Sequence, residues 1–376
     1  MERRETPIPE TGVTTRQQVG PQPGEIHRPL CSVVIPSYNG RHLLERCLDS
    51  IARHRPRERG RSIEIIVSDD GSTDGTVQWL RDRHPDVRVV GGAVNQGFCA
   101  AANAGMAAAR GPFIQLLNND TEVTAGWIEA GLAPFADMTV GAVAPLVLVT
   151  SEPDRVDSAG DSYSLIGWPT KRGHGQPASR FAGRPFEEVF GASGSSAFYR
   201  TRALGRTGGY DPLYGSYYED IDLSFRLRWA GYRCVFASGC RILHDVSASY
   251  DHANERLQRR MSRNAELVFW ANLPASVLAI AVVPHAGFVA AQAAWRLARG
   301  RLRPFLQGKC DALQAWREIA ARRGLRIDLA NHAVNPPHFR VGLGSIGDVR
   351  NHLIRPRGAE NRHPTRASRS SELEPQ

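Results

Sequence analysis

The side chains best suited to chemistry stand in short clusters, and three of these close apolar runs: Ser37-Tyr38-Asn39, Asp69-Asp70-Gly71-Ser72 and Asn118-Asn119-Asp120. Amides and carboxylates of this kind can read the edge of a base and the hydroxyls of a ribose. Asp120 supplies a hard oxygen able to hold a divalent cation against a diphosphate. Gly71 and Gly97 permit close backbone approach, and the helix opened by Asn95 favours a phosphate at its N-terminus. Asn and Asp also favour turns and caps, so a single cluster would read as a turn. Repeated after successive strands, the clusters suit a nucleotide whose diphosphate charge is met by a metal ion.

A sheet is what would bring them together. Leu30 to Ile35, Ile63 to Val67, Val87 to Val90 and Phe113 to Leu117 are short apolar runs, the pattern of strands covered on both faces. Between them apolar residues recur at helical spacing, as at Leu44, Cys47, Leu48 and Ile51, with Asn39 placed to cap that helix. Alternating strands and helices give right-handed βαβ units, a parallel sheet and an α/β fold. Ligands of such sheets gather at the carboxyl ends of the strands, so the clusters should converge on one crevice. Past Asp120 the rhythm changes to a helix around Trp127 to Phe135, a strand from Val140 to Val149 and a loop-rich binding region over 151–190. A helix faced by Ile221, Phe225 and Trp229 follows, then two short strands, Tyr232 to Phe236 and Arg241 to His244.

Apolar residues make up 41% and charged residues 23%, as in a soluble chain with one large domain and appendages. The net charge of +9 is localised: from Arg296 onward stand 16 basic and 7 acidic residues, an excess equal to that of the whole chain. Such a patch suits an anionic surface. With few aromatics to stack bases, it points to phospholipid and not to nucleic acid. Just ahead of it, Leu267 to Trp295 holds no Asp, Glu, Lys or Arg over 29 residues. That length could span a bilayer. Pro274, Pro284, His285 and Gly287 interrupt it, so shorter interfacial or re-entrant helices are expected, with Arg296, Arg299, Arg301 and Arg303 on anionic headgroups. A helical pair packed on the catalytic domain is the alternative. The six cysteines form no CxxC pair and read as reduced thiols. Residues 1–29 read as a disordered lead-in without a signal peptide. These features place the protein in the cytoplasm, peripheral on the cytoplasmic face of the cell membrane.

In order along the chain stand Val33-Val34-Ile35-Pro36-Ser37-Tyr38-Asn39, Asp69-Asp70-Gly71-Ser72-Thr73-Asp74-Gly75, Asn95-Gln96-Gly97-Phe98, Asn118-Asn119-Asp120-Thr121 and Glu219-Asp220-Ile221-Asp222-Leu223. As an ordered set spanning about residues 30–250, they resemble the family 2 glycosyltransferases of the glycosyltransferase-A fold. The branch resembled is the rhamnosyltransferase-like enzymes that extend cell-surface polysaccharides. The resemblance implies a Rossmann-like, mostly parallel sheet flanked by helices, with a C-terminal helical extension. It implies a catalytic domain over 30–262, a helical, membrane-associating region over 263–325 and a basic, largely disordered tail over 326–376.

The activity implied is inverting transfer from a UDP- or dTDP-linked sugar, rhamnose being one candidate, to a saccharide or polyprenyl-linked saccharide acceptor. By motif, Pro36, Tyr38, Asn39, Asp69, Asp70, Asn95, Gly97, Asn118 and Asn119 would line the donor pocket. Asp120 and His244 would ligate a divalent cation, Mn2+ or Mg2+; Asn118 stands where the family places its first acid and brings no charge. A satisfied histidine at a strand end is the alternative for His244. Asp220 would be the base that takes the acceptor hydroxyl proton. Tyr218 and Glu219 would lie on the acceptor side, although helical geometry turns Glu219 and Asp222 away from Asp220. A plain helix N-terminal preference is the alternative for Glu219 and Asp220.

Two rival enzymes lack their signatures. A dinucleotide-dependent oxidoreductase would show G-x-G-x-x-G where Pro36-Ser37-Tyr38-Asn39-Gly40 stands. A nucleotidyltransferase on a similar sheet would want a Gly-rich basic loop there. A non-catalytic sugar-nucleotide-binding protein is the remaining alternative, and turnover separates it.

Overall fold

The structure, a computed structural model, describes residues 28–56, 62–246, 254–337 and 339. Nearly all of the expected lead-in, and the tail beyond 339, lie outside the described residues.

The first half alternates as the periodicity requires: β1 (Cys31–Ser37), α1 (Arg41–His54), β2 (Ile63–Asp70), α2 (Thr76–Arg83), β3 (Val87–Gly92), α3 (Phe98–Ala108) and β4 (Phe113–Leu117). Next come β5 (Thr121–Val123), α4 (Trp127–Leu132) and β6 (Val140–Val149). The loop-rich stretch carries β7 (Glu152–Ser158), β8 (Asp161–Tyr163), β9 (Pro169–Lys171) and β10 (Phe186–Val189). Then follow β11 (Ser196–Arg200), α5 (Thr201–Thr207), α6 (Glu219–Trp229) and β12 (Arg233–His244). The described chain closes with α7 (Glu255–Asn272), α8 (Ala275–Leu297), α9 (Leu302–Gln314) and α10 (Trp316–Asn331).

The main sheet runs β10-β12-β6-β11-β4-β1-β2-β3, with β5 on β12 and β7 on β6. Strands β3, β2, β1 and β4 are parallel, β11 runs against β4 and β6, and β12 is parallel to β6. Val33 and Ile35 pack with Leu44, Leu48 and Trp79 on one face, while Val34 packs with Ala102 and Met106 on the other. Burial on both faces is why these strands read as continuous apolar runs. The pairing of Ser37 with Asp69, and of Asp70 with Gly92, brings the polar strand ends to one edge.

Three local expectations give way. Asn39 does not cap α1: the cap position is Gly40, and Asn39 sits at φ +48° with its Oδ1 accepting from Thr73 N at 2.8 Å. The turn after β2 competes for the amide and wins it. The two short strands at 232–244 are one strand, β12, with a bulge between Ala237 and Arg241 that absorbs the polar residues. Pro284 does not interrupt its helix either. α8 is a single helix of 23 residues that carries Pro284 inside it and gives up the bond to the Ile280 carbonyl.

The C-terminal helices are built into the catalytic body. α7 crosses the 262/263 boundary drawn from sequence, and α10 runs on to Asn331, past residue 325. Tyr163, Ile221, Phe225, Leu267 and Phe269 share one apolar cluster, joining α7 to α6. Beneath α6 the fully buried Asp222 accepts from Arg226 Nε at 2.7 Å, Arg326 Nη2 at 2.7 Å, Asn272 Nδ2 at 2.9 Å and the Tyr214 hydroxyl at 3.1 Å. Burial opposes its ionisation, but the Arg226 and Arg326 guanidiniums prevail and bring the carboxyl down to about 2.

Candidate active site

Pro36, Tyr38, Asp70, Asn95, Gly97, Asn118, Asn119, Asp120, Tyr218, Glu219, Asp220 and His244 all line one cavity of about 2980 Å3 at the carboxyl edge of the sheet. Asn39 and Asp69 are not on its wall. Asn39 is tied to Thr73, and Asp69 Oδ1 accepts from Gly71 N at 3.2 Å and Ser72 N at 2.9 Å. Both therefore shape the turn behind the pocket. Asp70 fixes the loop before α3, its two oxygens accepting from Gln96 N and Gly97 N, each at 2.8 Å. Gly97 takes φ +93° there, a conformation that side-chain-bearing residues rarely adopt. Asn119 Nδ2 donates to Ser37 Oγ at 3.1 Å and ties the end of β4 to that of β1. The Tyr38 ring stands half exposed at the mouth, a surface on which a base can stack.

His244 ends β12 and pairs in register with Thr121 of β5, which sets it beside Asp120. Its Nε2 lies 3.4 Å from Asp120 Oδ1 and its Nδ1 3.0 Å from Asp157 Oδ2. Burial depresses the imidazole, but the two carboxylates outweigh it and raise His244 to about 9. Asp157 of β7 is fully buried and holds Lys171 Nζ at 2.9 Å from each oxygen. Against the cost of burial, His174, His244 and Lys171 keep its carboxyl well below the usual range. A histidine whose Nδ1 is held by a carboxylate presents Nε2 as metal-bound histidines do. Among the described residues no group of three or more His, Cys, Asp or Glu forms a complete cage. Asp120 and His244 are the side chains here that could hold a cation against substrate phosphates.

Asp220 lies in the first turn of α6, with Gly194 N donating to its Oδ2 and Ile221 N to its Oδ1, both at 2.8 Å. Burial pushes this carboxyl up, and the two N–H groups restrain the rise. Glu219, expected to point elsewhere, faces the same cavity. At the open end of a helix the first two side chains both project past its terminus, so their angular separation does not part them. Burial and the Asp220 charge take Glu219 up to about 8, and its buried Oε2 has no hydrogen-bond partner among the described residues. Burial thus raises both carboxyls, and the charge of Asp220 raises that of Glu219 further. Only Asp222 turns away.

Several supporting residues carried no motif. Tyr217 and Tyr218 sit at φ +68° and +74° just before the pair, at a cost of about 1–3 kcal/mol each. Asn264 of α7 holds that loop, its Nδ2 lying 2.9, 3.1 and 2.8 Å from the carbonyls of Tyr214, Ser216 and Tyr217. Asp161 of β8 adds a carboxyl to the cavity wall. It is buried, its Oδ2 has no hydrogen-bond partner among the described residues, and burial with the Asp220 charge puts it well above the usual carboxylate range.

Residues 32–208 match the model of glycosyl transferase family 2. An N-acetylglucosaminyl-diphospho-decaprenol L-rhamnosyltransferase of Mycobacterium tuberculosis is 31% identical over 246 residues, 58% of this chain and 76% of its own length. A pre-mycofactocin glycosyltransferase of the same organism is 30% identical over 60% of this chain, which spans 44% of that protein. Among solved structures, GalNAc-T7 with UDP, GalNAc and Mn2+ shares the fold at a TM-score of 0.52 and 19% identity, over 65% of this chain and 48% of that one. A glycosyltransferase-A sheet gathers the motif clusters at one edge, and a relative is matched over most of its length; the chain belongs to glycosyl transferase family 2.

Proposed function

We propose that the protein transfers a sugar, with inversion, from a nucleotide-diphosphate sugar to a lipid-linked saccharide in cell-surface polysaccharide synthesis. The observation that carries this reading is the opening of the strand-end clusters, the Asp120–His244 pair and Asp220 onto one cavity. The base would stack on Tyr38, the ribose would meet Asp70, Asn118 and Asn119, and the phosphates would run from the α3 N-terminus toward Asp120. Asp120 and His244 would hold Mn2+ or Mg2+, which supplies charge stabilisation at the departing diphosphate. Ionised Asp220 accepts the acceptor hydroxyl proton as that oxygen bonds to the anomeric carbon and the carbon–diphosphate bond breaks on the opposite face. Protonated Glu219 can donate a hydrogen bond to the acceptor, which an ionised carboxylate cannot.

The rhamnosyltransferase that acts on N-acetylglucosaminyl-diphospho-decaprenol supports a lipid-linked acceptor, and rhamnose as the sugar. α8 is long and apolar enough to cross a membrane, and little of it is buried. Its exposed Ile280, Val283 and Leu297, followed by arginines, support a helix lying on the cytoplasmic face among anionic headgroups. The test is a thermal-shift panel of UDP- and dTDP-sugars with and without manganese, followed by turnover of the stabilising donor with polyprenyl-diphosphate saccharides. Metal-dependent stabilisation and release of nucleoside diphosphate are expected. Release of inorganic diphosphate would indicate a nucleotidyltransferase, and donor binding without turnover a sensor.

A further inference from the structure

The cavity is much larger than a donor needs. A drug-sized ligand occupies roughly 300–1,000 Å3, whereas this cavity measures about 2980 Å3 and extends from the strand ends to the last turns of α8. α8 presents two unlike faces. His285, Phe288, Gln292, Trp295 and Arg299, spaced by three and four residues, fall on one stripe and line the cavity. Ile280, Val283 and Leu297 are exposed elsewhere on the same helix. Along the stripe the chemistry changes over about 15 Å from His285 to Trp295, the rise of 10 residues of helix, with Arg299 two residues past the end of α8. At one end His285 is fixed between Glu266 Oε2 at 3.1 Å and the Ile166 carbonyl at 2.8 Å. At the other end the Arg299 guanidinium stacks on Trp295 at 4.1 Å, and Arg301 joins it on the cavity wall.

That end is cationic, and among the described residues neither Arg299 nor Arg301 has a carboxylate partner. No Asp or Glu stands between Leu267 and Cys310. The flanking acids are engaged, Glu266 with Lys309 at 2.6 Å and Asp311 with Arg259 at 2.6 Å. Arg301 has no ion-pair partner among the described residues. Arg303, two residues on, is exposed and lies off the cavity wall. Headgroup binding alone would give no reason for Arg296, Arg299 and Arg301 to line a cavity that also holds Asp220, while the fourth arginine, Arg303, lies off its wall.

We propose that Arg299 and Arg301, backed by Trp295, form the subsite for the phosphate or diphosphate that joins the acceptor saccharide to its lipid. The saccharide then extends along the α8 stripe toward Asp220, and the lipid leaves past the exposed apolar face of the helix. Arg303 contacts bilayer phosphates instead. This assignment rests on the reading of the acceptor as a lipid-linked saccharide.

The experiment measures binding of farnesyl diphosphate, and of farnesol as its uncharged control, to the full chain with UDP and manganese present to fill the donor end. Wild type should bind the diphosphate and not the alcohol. Arg299→Ala/Arg301→Ala should weaken that binding by about 10- to 100-fold, the range for losing charge-assisted hydrogen bonds. Arg303→Ala should bind farnesyl diphosphate like wild type and lose affinity only for phosphatidylglycerol vesicles. Arg299 and Arg303 are exposed and Arg301 is partly buried, and an unchanged melting temperature will show that both variants are folded. Equal farnesyl diphosphate affinity in wild type and the double variant overturns the subsite while leaving the lipid-linked reading in place. Absence of binding by wild type overturns that reading and the subsite with it.

Discussion

The two walls of the cavity are held by different means. The donor wall is fastened between the ends of adjacent strands: Asp69 to Gly71 and Ser72, Asp70 to Gln96 and Gly97, Asn119 to Ser37. The acceptor wall is fastened from far along the chain, Asn264 to Tyr217 across 47 residues and Arg326 to Asp222 across 104. A nucleotide cradle can be built from backbone amides at strand ends, which local geometry supplies. Aiming a base at a second substrate takes a loop in a strained conformation, and only tertiary packing holds that. The C-terminal helices therefore belong to the catalytic apparatus as well as to any membrane surface.

This contrast can be broken first at its largest effect. A chain ending at residue 262 loses Asn264, Asn272 and Arg326 together and should fail to unfold cooperatively in urea; a stable, active 1–262 fragment would end the comparison. Arg326→Met alone leaves Asp222 buried with one cation fewer and should cost about 3–5 kcal/mol of stability by urea denaturation. Asn264→Ala should cost about 1–3 kcal/mol and lower kcat with donor affinity unchanged. Asp70→Ala should do the reverse, weakening donor binding with little change in melting temperature.

Acid should act on the acceptor side too. Asp222 and Glu266 both have folded values near 2, below the usual carboxylate values of 3.8 and 4.5. For Glu266, burial is outweighed by His285 and Lys309. A depressed carboxyl stabilises the fold above its unfolded value, and that contribution is lost as pH falls toward the folded one. Melting temperature should therefore drop between about pH 4.5 and pH 2, and Glu266→Gln should flatten the drop. The smallest effect is expected at Asp161. An amide and a neutral carboxyl each offer a donor and an acceptor, so Asp161→Asn should keep most activity while Asp161→Leu raises the acceptor KM.

The sequence carried the donor wall almost entirely. Parallel strands buried on both faces announce themselves as apolar runs, and the residues after them are where ligands bind, so Asp70, Asn118 and Asp120 were legible. Asn39 and Asp69 were misplaced by one step, since a turn residue and a wall residue look alike before side chains have directions. The acceptor wall was legible only through Tyr218, Glu219 and Asp220. Asp157, Asp161 and Lys171 sit in segments with no strong period, Asn264 is a polar residue on an amphipathic helix, and the partners of all four are fixed by the fold. Arg326 read as part of a basic tail because nothing local distinguishes a buried arginine from an exposed one. Its partner Asp222 lies in a motif, and the pairing is the work of α10 packing on α6.

The most direct test of the account compares Asp220→Asn with Glu219→Gln in transfer rate and donor affinity. Asp220→Asn should bind donor as wild type does while transfer falls by roughly two to four orders of magnitude, the range for loss of a general base. Glu219→Gln should be milder, because an amide keeps a hydrogen-bond donor where the protonated acid stood. Near wild-type transfer by Asp220→Asn, or a collapse confined to Glu219→Gln, would contradict the assignment of the base.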